Sequence, residues 1–299
     1  MPQEYVVRLT GRCNERCLFC FVLDEIEAGK PVTLDEVKRE IDQAHAQGYE
    51  RVDLFGGEPT TYPFLPDVMG YAAAIGMLVS LATNAMRFAD EAYAREFFKM
   101  GKPRSVRVSL YSHDPSIHDR LTKVRGSHAK TLAGLSNIIQ HSAGACRVSV
   151  TVVINAWNFA NLAEIVHLVH ERGGKIIKFS GLVPTDRLLA EEPELMIDLE
   201  LIRPPLLEAI AAARRAGMFF CLERLPLCIA PEDIDHNVDR MSDARNGTDM
   251  SKPTECLACR YRFECPGLLH APKARPTPKF IKAFPPASHA PAAGSRHGG

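Results

Sequence analysis

Between residues 4 and 180 the chain switches repeatedly between two hydrophobic periods. Short runs rich in β-branched and other apolar residues at 5–9, 51–55, 78–82, 105–111, 147–154 and 175–179 predict six strands. Between them, apolar residues recur at helical intervals. The clearest helix opens at Thr33, which has capping-box spacing to Glu36 and is followed by Val37, Ile41, Ala44 and His45. Others are predicted at 64–75, 91–100, 130–141 and 161–172. Such alternation is the pattern of repeated βα units around a parallel sheet. Right-handed crossovers would curl six units into an α/β fold, a partial (β/α)6 TIM-like barrel with its ligand site at the strand C-termini.

Beyond residue 180 the pattern loosens. A longer helix at 199–216 and a strand at 218–222 precede a cysteine-rich segment without clear period, which predicts a small metal-stapled module. From residue 271 Pro, Ala, Lys and His dominate, the composition of a disordered tail. The expected plan is a core domain at 1–198, a helix and cysteine module at 199–270, and a tail at 271–299.

Composition narrows the class. The 299 residues are 46% hydrophobic, enough for an ordinary globular core. Acidic and basic residues balance at 36 each, so no global field favours nucleic acid or an anionic membrane. No apolar run approaches the ~20 residues that cross a bilayer, and no signal-type leader opens the chain. A cytoplasmic protein is expected. Eight of the nine cysteines fall in two groups towards the ends, which argues for metal ligation over a disulfide framework. Cys146, alone at the start of an apolar strand, is expected to be buried.

Cys13, Cys17 and Cys20 are spaced C-x3-C-x2-C, with Phe19 beside the third and no further cysteine before Cys146. Four thiolates fill a 4Fe-4S cluster, whereas three leave one iron open to bind a small molecule. Zinc with a distant fourth ligand is the alternative, although zinc knuckles favour joined C-x2-C pairs. The segment 10–20 closely resembles the signature loop of the radical S-adenosylmethionine (radical SAM) enzymes, in which the open iron chelates the methionyl end of the cofactor. The resemblance implies that Phe19 contributes to adenine binding. It extends to Gly56-Gly57-Glu58-Pro59 after the second strand, where the family motif contacts the cofactor's amino group through its backbone, so Gly57 and Glu58 are expected at the cofactor.

The fourth strand ends in Val108-Ser109-Leu110-Tyr111-Ser112, with Ser109 on the same face as Arg107, where a hydroxyl can meet the cofactor's ribose or carboxylate. His118-Asp119 and Arg125-Gly126-Ser127 follow, a succession similar to the same family. Arg125, ahead of Arg120, is expected to fork the methionyl carboxylate. Leu182, after the sixth strand, is expected to touch the adenine. Asn84 stands where the family often has a Thr-Asn-Gly turn, with Ala85 replacing the glycine. His113 and His118 invite an acid–base role, but polar-loop histidines more often cap or face solvent, so no catalytic residue is assigned.

Cys256, Cys259 and Cys265 are spaced C-x2-C-x5-C and resemble the core of twitch and SPASM modules, with Leu269 where a full SPASM module continues with a cysteine. The count suits one auxiliary 4Fe-4S cluster on Cys228, Cys256, Cys259 and Cys265, with Cys221 spare or exchanging with Cys228. Four thiolates would equally hold structural zinc. The resemblance implies one-electron cleavage of S-adenosylmethionine, hydrogen abstraction from a substrate, and an electron donor such as flavodoxin or ferredoxin. Modification of a peptide or protein side chain is the leading expectation. The chain is expected to enter its first strand at once, so peptide recognition would fall to a separate protein. A small-molecule biosynthetic enzyme is the alternative, and a non-catalytic iron-sulfur electron carrier or sensor the alternative from another class.

Overall fold

A computed structural model describes residues 4–24, 31–240, 250–252 and 254–269. The tail expected from residue 271 lies outside them. One sheet holds seven parallel strands in sequence order: β1 Glu4–Arg8, β2 Arg51–Phe55, β3 Leu78–Thr83, β4 Ser105–Ser109, β5 Arg147–Val153, β6 Ile176–Ser180 and β7 Phe219–Glu223. The connecting helices are α1 Leu34–Ala46, α2 Leu65–Ala74, α3 Glu91–Met100, α4 Pro115–Thr122, α5 Ser127–Ser142, α6 Leu162–Glu171, the short α7 Asp186–Glu191 and α8 Leu199–Arg215. A two-residue antiparallel ladder joins β8 Met250–Ser251 to β9 Leu268–Leu269. No helix among the described residues is long and apolar enough to cross a membrane.

Strand alternation divides the sheet into two faces. Val7, Leu54, Leu81, Val108, Val152, Phe179 and Leu222 point outward and are buried with Val37 and Ile41 of α1, Phe97 of α3 and Leu206 of α8 in one apolar layer. Their neighbours point the other way and include Asp53, Ser80, Arg107, Thr151, Lys178 and Glu223 beside the apolar Val6, Phe55, Ala82 and Val153. Arg107 of β4 pairs with Asp53 of β2 and comes within 4.0 Å of Glu4 of β1, although neither strand is its neighbour. Contacts that skip a strand require the sheet to curl around its polar face, which is therefore the lumen of a partial barrel. Lys178 and Ser180 of β6 meet Glu223 of β7 on that face, at 2.8 and 3.0 Å.

Local signals account for most boundaries. The Thr33 box forms, with the Thr33 amide donating to Glu36 Oε2 at 2.8 Å and the Glu36 amide to Thr33 Oγ1 at 3.3 Å. Helix α5 begins three residues before its predicted start because the His128 amide donates to Asp119, a residue of α4, at 2.9 Å. The last predicted strand also takes an unforeseen place. As β7 it pairs in parallel with β6, so the barrel sheet runs past residue 198.

Candidate cluster and cofactor site

The cysteine loop leaves the C-terminal end of β1 and is held from two sides. The Gly57 amide donates to the Thr10 carbonyl and the Glu58 amide to the Arg12 carbonyl, both at 2.8 Å. On the other side, the Arg16 and Leu18 amides donate to the Thr122 and Leu121 carbonyls, at 3.0 and 2.9 Å. Those carbonyls close α4, where helix geometry leaves acceptors without intrahelical partners. The paired glycines are a steric requirement here. A Cβ on Gly57 would stand 2.2 Å from the Arg12 carbonyl oxygen, and Gly56 adopts φ 144° with Thr10 O 2.6 Å from its would-be Cβ.

Glu58 commits its side chain to the protein. Its carboxylate is 1% exposed and accepts from the Thr60 amide at 3.0 Å, the Thr60 and Thr83 hydroxyls at 2.7 Å, and the Asn84 amide at 2.8 Å. That side chain joins the exits of β2 and β3, leaving only the backbone of this residue for a cofactor. Burial raises its pKa, and the Asn84, Thr60 and Thr83 donors oppose the rise. Asn84 continues the bracing by donating to Asn14 of the cysteine loop at 2.6 Å. Ala85 sits at φ 61°, the left-handed conformation that explains why a glycine suits this turn.

Cys13, Cys17 and Cys20 are all half-buried and lie within electrostatic reach of one another. Amides two residues on point back at two of the sulfurs: Glu15 N–H to Cys13 Sγ at 3.4 Å, and Val22 N–H to Cys20. As thiols, their pKa values are raised mainly by burial, Cys13 to about 12. Glu15, which the sequence did not single out, is buried with Oε2 accepting from the Cys17 thiol at 3.2 Å. Burial pushes its carboxyl up to about 7, against the Cys17 hydrogen bond.

A second apolar cluster covers one side of this loop. It gathers Phe19, Tyr111, Leu121, Leu182, Leu188 and Leu195, so the two residues expected at the adenine, Phe19 and Leu182, lie in one cluster. Phe19 meets Tyr111 edge-on with centroids 4.8 Å apart. His118 stacks on Tyr111 and is wholly buried, and its Nδ1 accepts the Tyr111 amide at 3.2 Å. Burial and the neighbouring His128 lower its pKa to about 4, so it is a neutral acceptor bracing the β4 exit, not a proton shuttle near neutrality. His113 is only half-buried.

Ser109 ends β4 half-exposed, within hydrogen-bonding reach of Tyr111. Asp119 accepts from the Ser127 hydroxyl at 3.0 Å and the His128 amide at 2.9 Å, which fixes the turn carrying Arg125. Arg125 itself is exposed and makes no ion pair or hydrogen bond among the described residues. Arg120 lies flat over Trp157, with Cζ 3.8 Å from the ring centroid. The lumen's charged residues were not singled out in the sequence. Burial pushes Glu223 up, but Lys178, Arg224 and Ser180 outweigh it and leave the carboxyl below its ordinary range.

Four of the five C-terminal cysteines, Cys228, Cys256, Cys259 and Cys265, follow β7 in the chain. Cys265 Sγ accepts from the Leu227 and Gly267 amides, each at 3.4 Å, which brings it beside Cys228 in the chain. The Cys259 amide donates to the Cys256 carbonyl at 3.1 Å in a tight turn. Arg240 braces the segment through Glu264 at 2.7 Å. Leu269 lies in the β8–β9 ladder, and Cys221 sits on β7 in register with Lys178. Cys146 is buried before β5. Among the described residues no three His, Cys, Asp or Glu side chains converge closely enough to hold a single metal ion.

Residues 7–169, more than half of the chain, match the family model of the Radical SAM superfamily. The AdoMet-dependent heme synthase of Methanosarcina barkeri is 28% identical over 188 residues, covering 62% of this chain and 52% of that protein. The PqqA peptide cyclase of Streptomyces rochei is 26% identical over 181 residues, covering 60% and 48%. The chain thus spans about half the length of these curated relatives. Among solved structures, Streptococcus suis SuiB bound to the precursor peptide SuiA superposes with a TM-score of 0.62 at 19% identity, over 78% of this chain and 51% of that one, a likeness of fold.

Proposed function

Because this chain belongs to the radical SAM superfamily, we propose that Cys13, Cys17 and Cys20 hold a 4Fe-4S cluster with one open iron and that the enzyme modifies a peptide or protein side chain. The donor set suits the group. Three thiols share one braced loop, and amides aimed at Cys13 and Cys20 favour the thiolate that metal binding requires. Bound there, the cluster and S-adenosylmethionine supply one-electron cleavage to a carbon radical able to remove an unactivated hydrogen.

The chain's own residues bind, orient and exclude water. The Gly57 amide is already engaged by Thr10, so this residue would meet the cofactor's amino group through its carbonyl. Phe19 and Leu182 would enclose the adenine on the dry side, and Ser109 would reach the ribose or carboxylate from the lumen. Arg125, exposed on its turn, would swing to the methionyl carboxylate, with Arg120 as the alternative fork. The lumen receives the substrate. Cys228, Cys256, Cys259 and Cys265 would hold an auxiliary 4Fe-4S cluster, or zinc, and a flavodoxin or ferredoxin would supply electrons.

The observation that carries this conclusion is the cysteine loop itself, locked against Gly56-Gly57 and the end of α4 at the mouth of a polar lumen. The peptide assignment draws on the relatives named as a peptide cyclase and as SuiB bound to its precursor peptide. The small-molecule alternative draws on the heme synthase relative. Anaerobically reconstituted protein is expected to bind about eight irons, the sum for two cubane clusters, and to release 5′-deoxyadenosine with dithionite and S-adenosylmethionine. Changing Cys13, Cys17 and Cys20 together to Ala should abolish that product. Product that persists in the triple variant would sink the assignment.

A further inference from the structure

Arg224 follows the last residue of β7 and adopts φ 53°, a left-handed conformation that costs a non-glycine residue energy. Both sides of its peptide linkage are fixed there. Its amide donates to Asp239, and its carbonyl packs so closely on Gly181 that a Cβ at that glycine would stand 2.2 Å from the oxygen. Strain held in place by neighbours at a strand exit points to function, because the surroundings must over-determine it. What the conformation achieves is to direct the side chain across the barrel mouth. The guanidinium carbon lies 5.3 Å from the ring centroid of Phe21, the residue after Cys20, and Phe21 stacks on Phe55 at the end of β2 at 5.9 Å.

The guanidinium is otherwise uncommitted. It is 36% exposed, and its one ion pair is a loose 3.5 Å contact with Glu223. Glu223 already holds Lys178 at 2.8 Å and accepts from Ser180 at 3.0 Å, so Arg224 is the second cation on one carboxylate. Among the described residues its side chain makes no hydrogen bond, which leaves a five-donor planar fork beside Phe21 of the cysteine loop and four residues before Cys228 in the chain. The lumen below it is polar, lined by Asp53, Arg107, Thr151 and Lys178.

We propose that Arg224 is a specificity-determining residue that fixes a substrate carboxylate at the barrel mouth, so that the substrate is a peptide presenting an Asp or Glu side chain beside the reacting carbon. The assignment rests on the function proposed above. A planar guanidinium pairs bidentately with a carboxylate, and stacking on Phe21 orients its plane without consuming its donors.

The test is residue-resolved phenylglyoxal labelling of the reconstituted protein under anaerobic conditions, with N-acetyl-glutamate amide, N-acetyl-glutamine amide and inorganic phosphate as competing probes. The glutamate probe should slow labelling of Arg224 at least threefold and saturably, the glutamine probe should not, and Arg215, exposed on α8, should serve as the unprotected control. Arg224→Lys should keep carboxylate binding at several-fold weaker affinity, measured by calorimetry, and Arg224→Gln should lose it. Equal labelling rates with all three probes would mean that Arg224 only latches over Phe21 and would overturn the proposal. Protection by phosphate alone would overturn the carboxylate class. Labelling needs no turnover, so failure to form 5′-deoxyadenosine counts against the proposed function and failure of protection counts against Arg224.

Discussion

The two cysteine groups are held by different means. Around Cys13, Cys17 and Cys20 the protein supplies the geometry: the exits of β2, β3 and β4 and the end of α4 all bond to the loop or to its braces. Around Cys228, Cys256, Cys259 and Cys265 the chain offers short turns, one arginine brace and a two-residue ladder. The second region is mixed: Leu225, Leu227, Ile229 and Leu268 are buried, whereas Phe263 is 77% exposed and Leu257 59%. A metal bound by the second group would add order to its exposed turns, whereas the clamp on the first is made of the protein's own hydrogen bonds.

The sharpest way to break this contrast is to remove Cys228 and Cys265 together by changing both to Ala. About half of the iron, about four atoms per chain, or the bound zinc, should be lost. Limited proteolysis should then cut within residues 224–269, while 5′-deoxyadenosine still forms without substrate. If cofactor cleavage disappears as well, the regions are not independent. A single methyl group probes the first region. Gly57→Ala forces a Cβ against the Arg12 carbonyl and should cost about 1–3 kcal/mol, read by urea unfolding, with iron lost first from the N-terminal group; an unchanged midpoint would mean the loop is looser than its bonds imply. The smallest effect is a gain. Lys123 closes α4 at φ 56°, and Lys123→Gly should stabilise the helix that anchors the loop by about 0.5–1 kcal/mol, seen as a higher melting temperature.

Much of this was legible because it is local. The Thr33 capping box, the β-branched strand runs and the cysteine spacing each act within a few residues, and the predicted strands and helices formed near where period and caps placed them, whereas α4 and α7 were not foreseen. What escaped depends on closure of the sheet. Asp53, Arg107, Lys178 and Glu223 alternate with apolar neighbours as residues on a solvent-facing strand surface would, and only curvature turns that surface into a lumen. The early start of α5 escaped for a similar reason, since its cap is a side chain on another helix. The bracing by Glu58 also escaped, since its motif pointed only to the backbone, while its carboxylate binds four of the protein's own donors.

Strict sequence order in the sheet has a consequence for synthesis. Each strand leaving the ribosome finds its only earlier partner already made, so the barrel can grow edgewise from its N-terminal strand as domains do during translation. The first three thiols emerge early, yet the residues that clamp them, Gly57, Asn84 and Thr122, emerge later and in that order. Arg224, which crosses the seam, comes later still. Cluster-delivery machinery acting on the nascent chain would thus meet an open loop first, and translation itself would draw the clamp shut behind it.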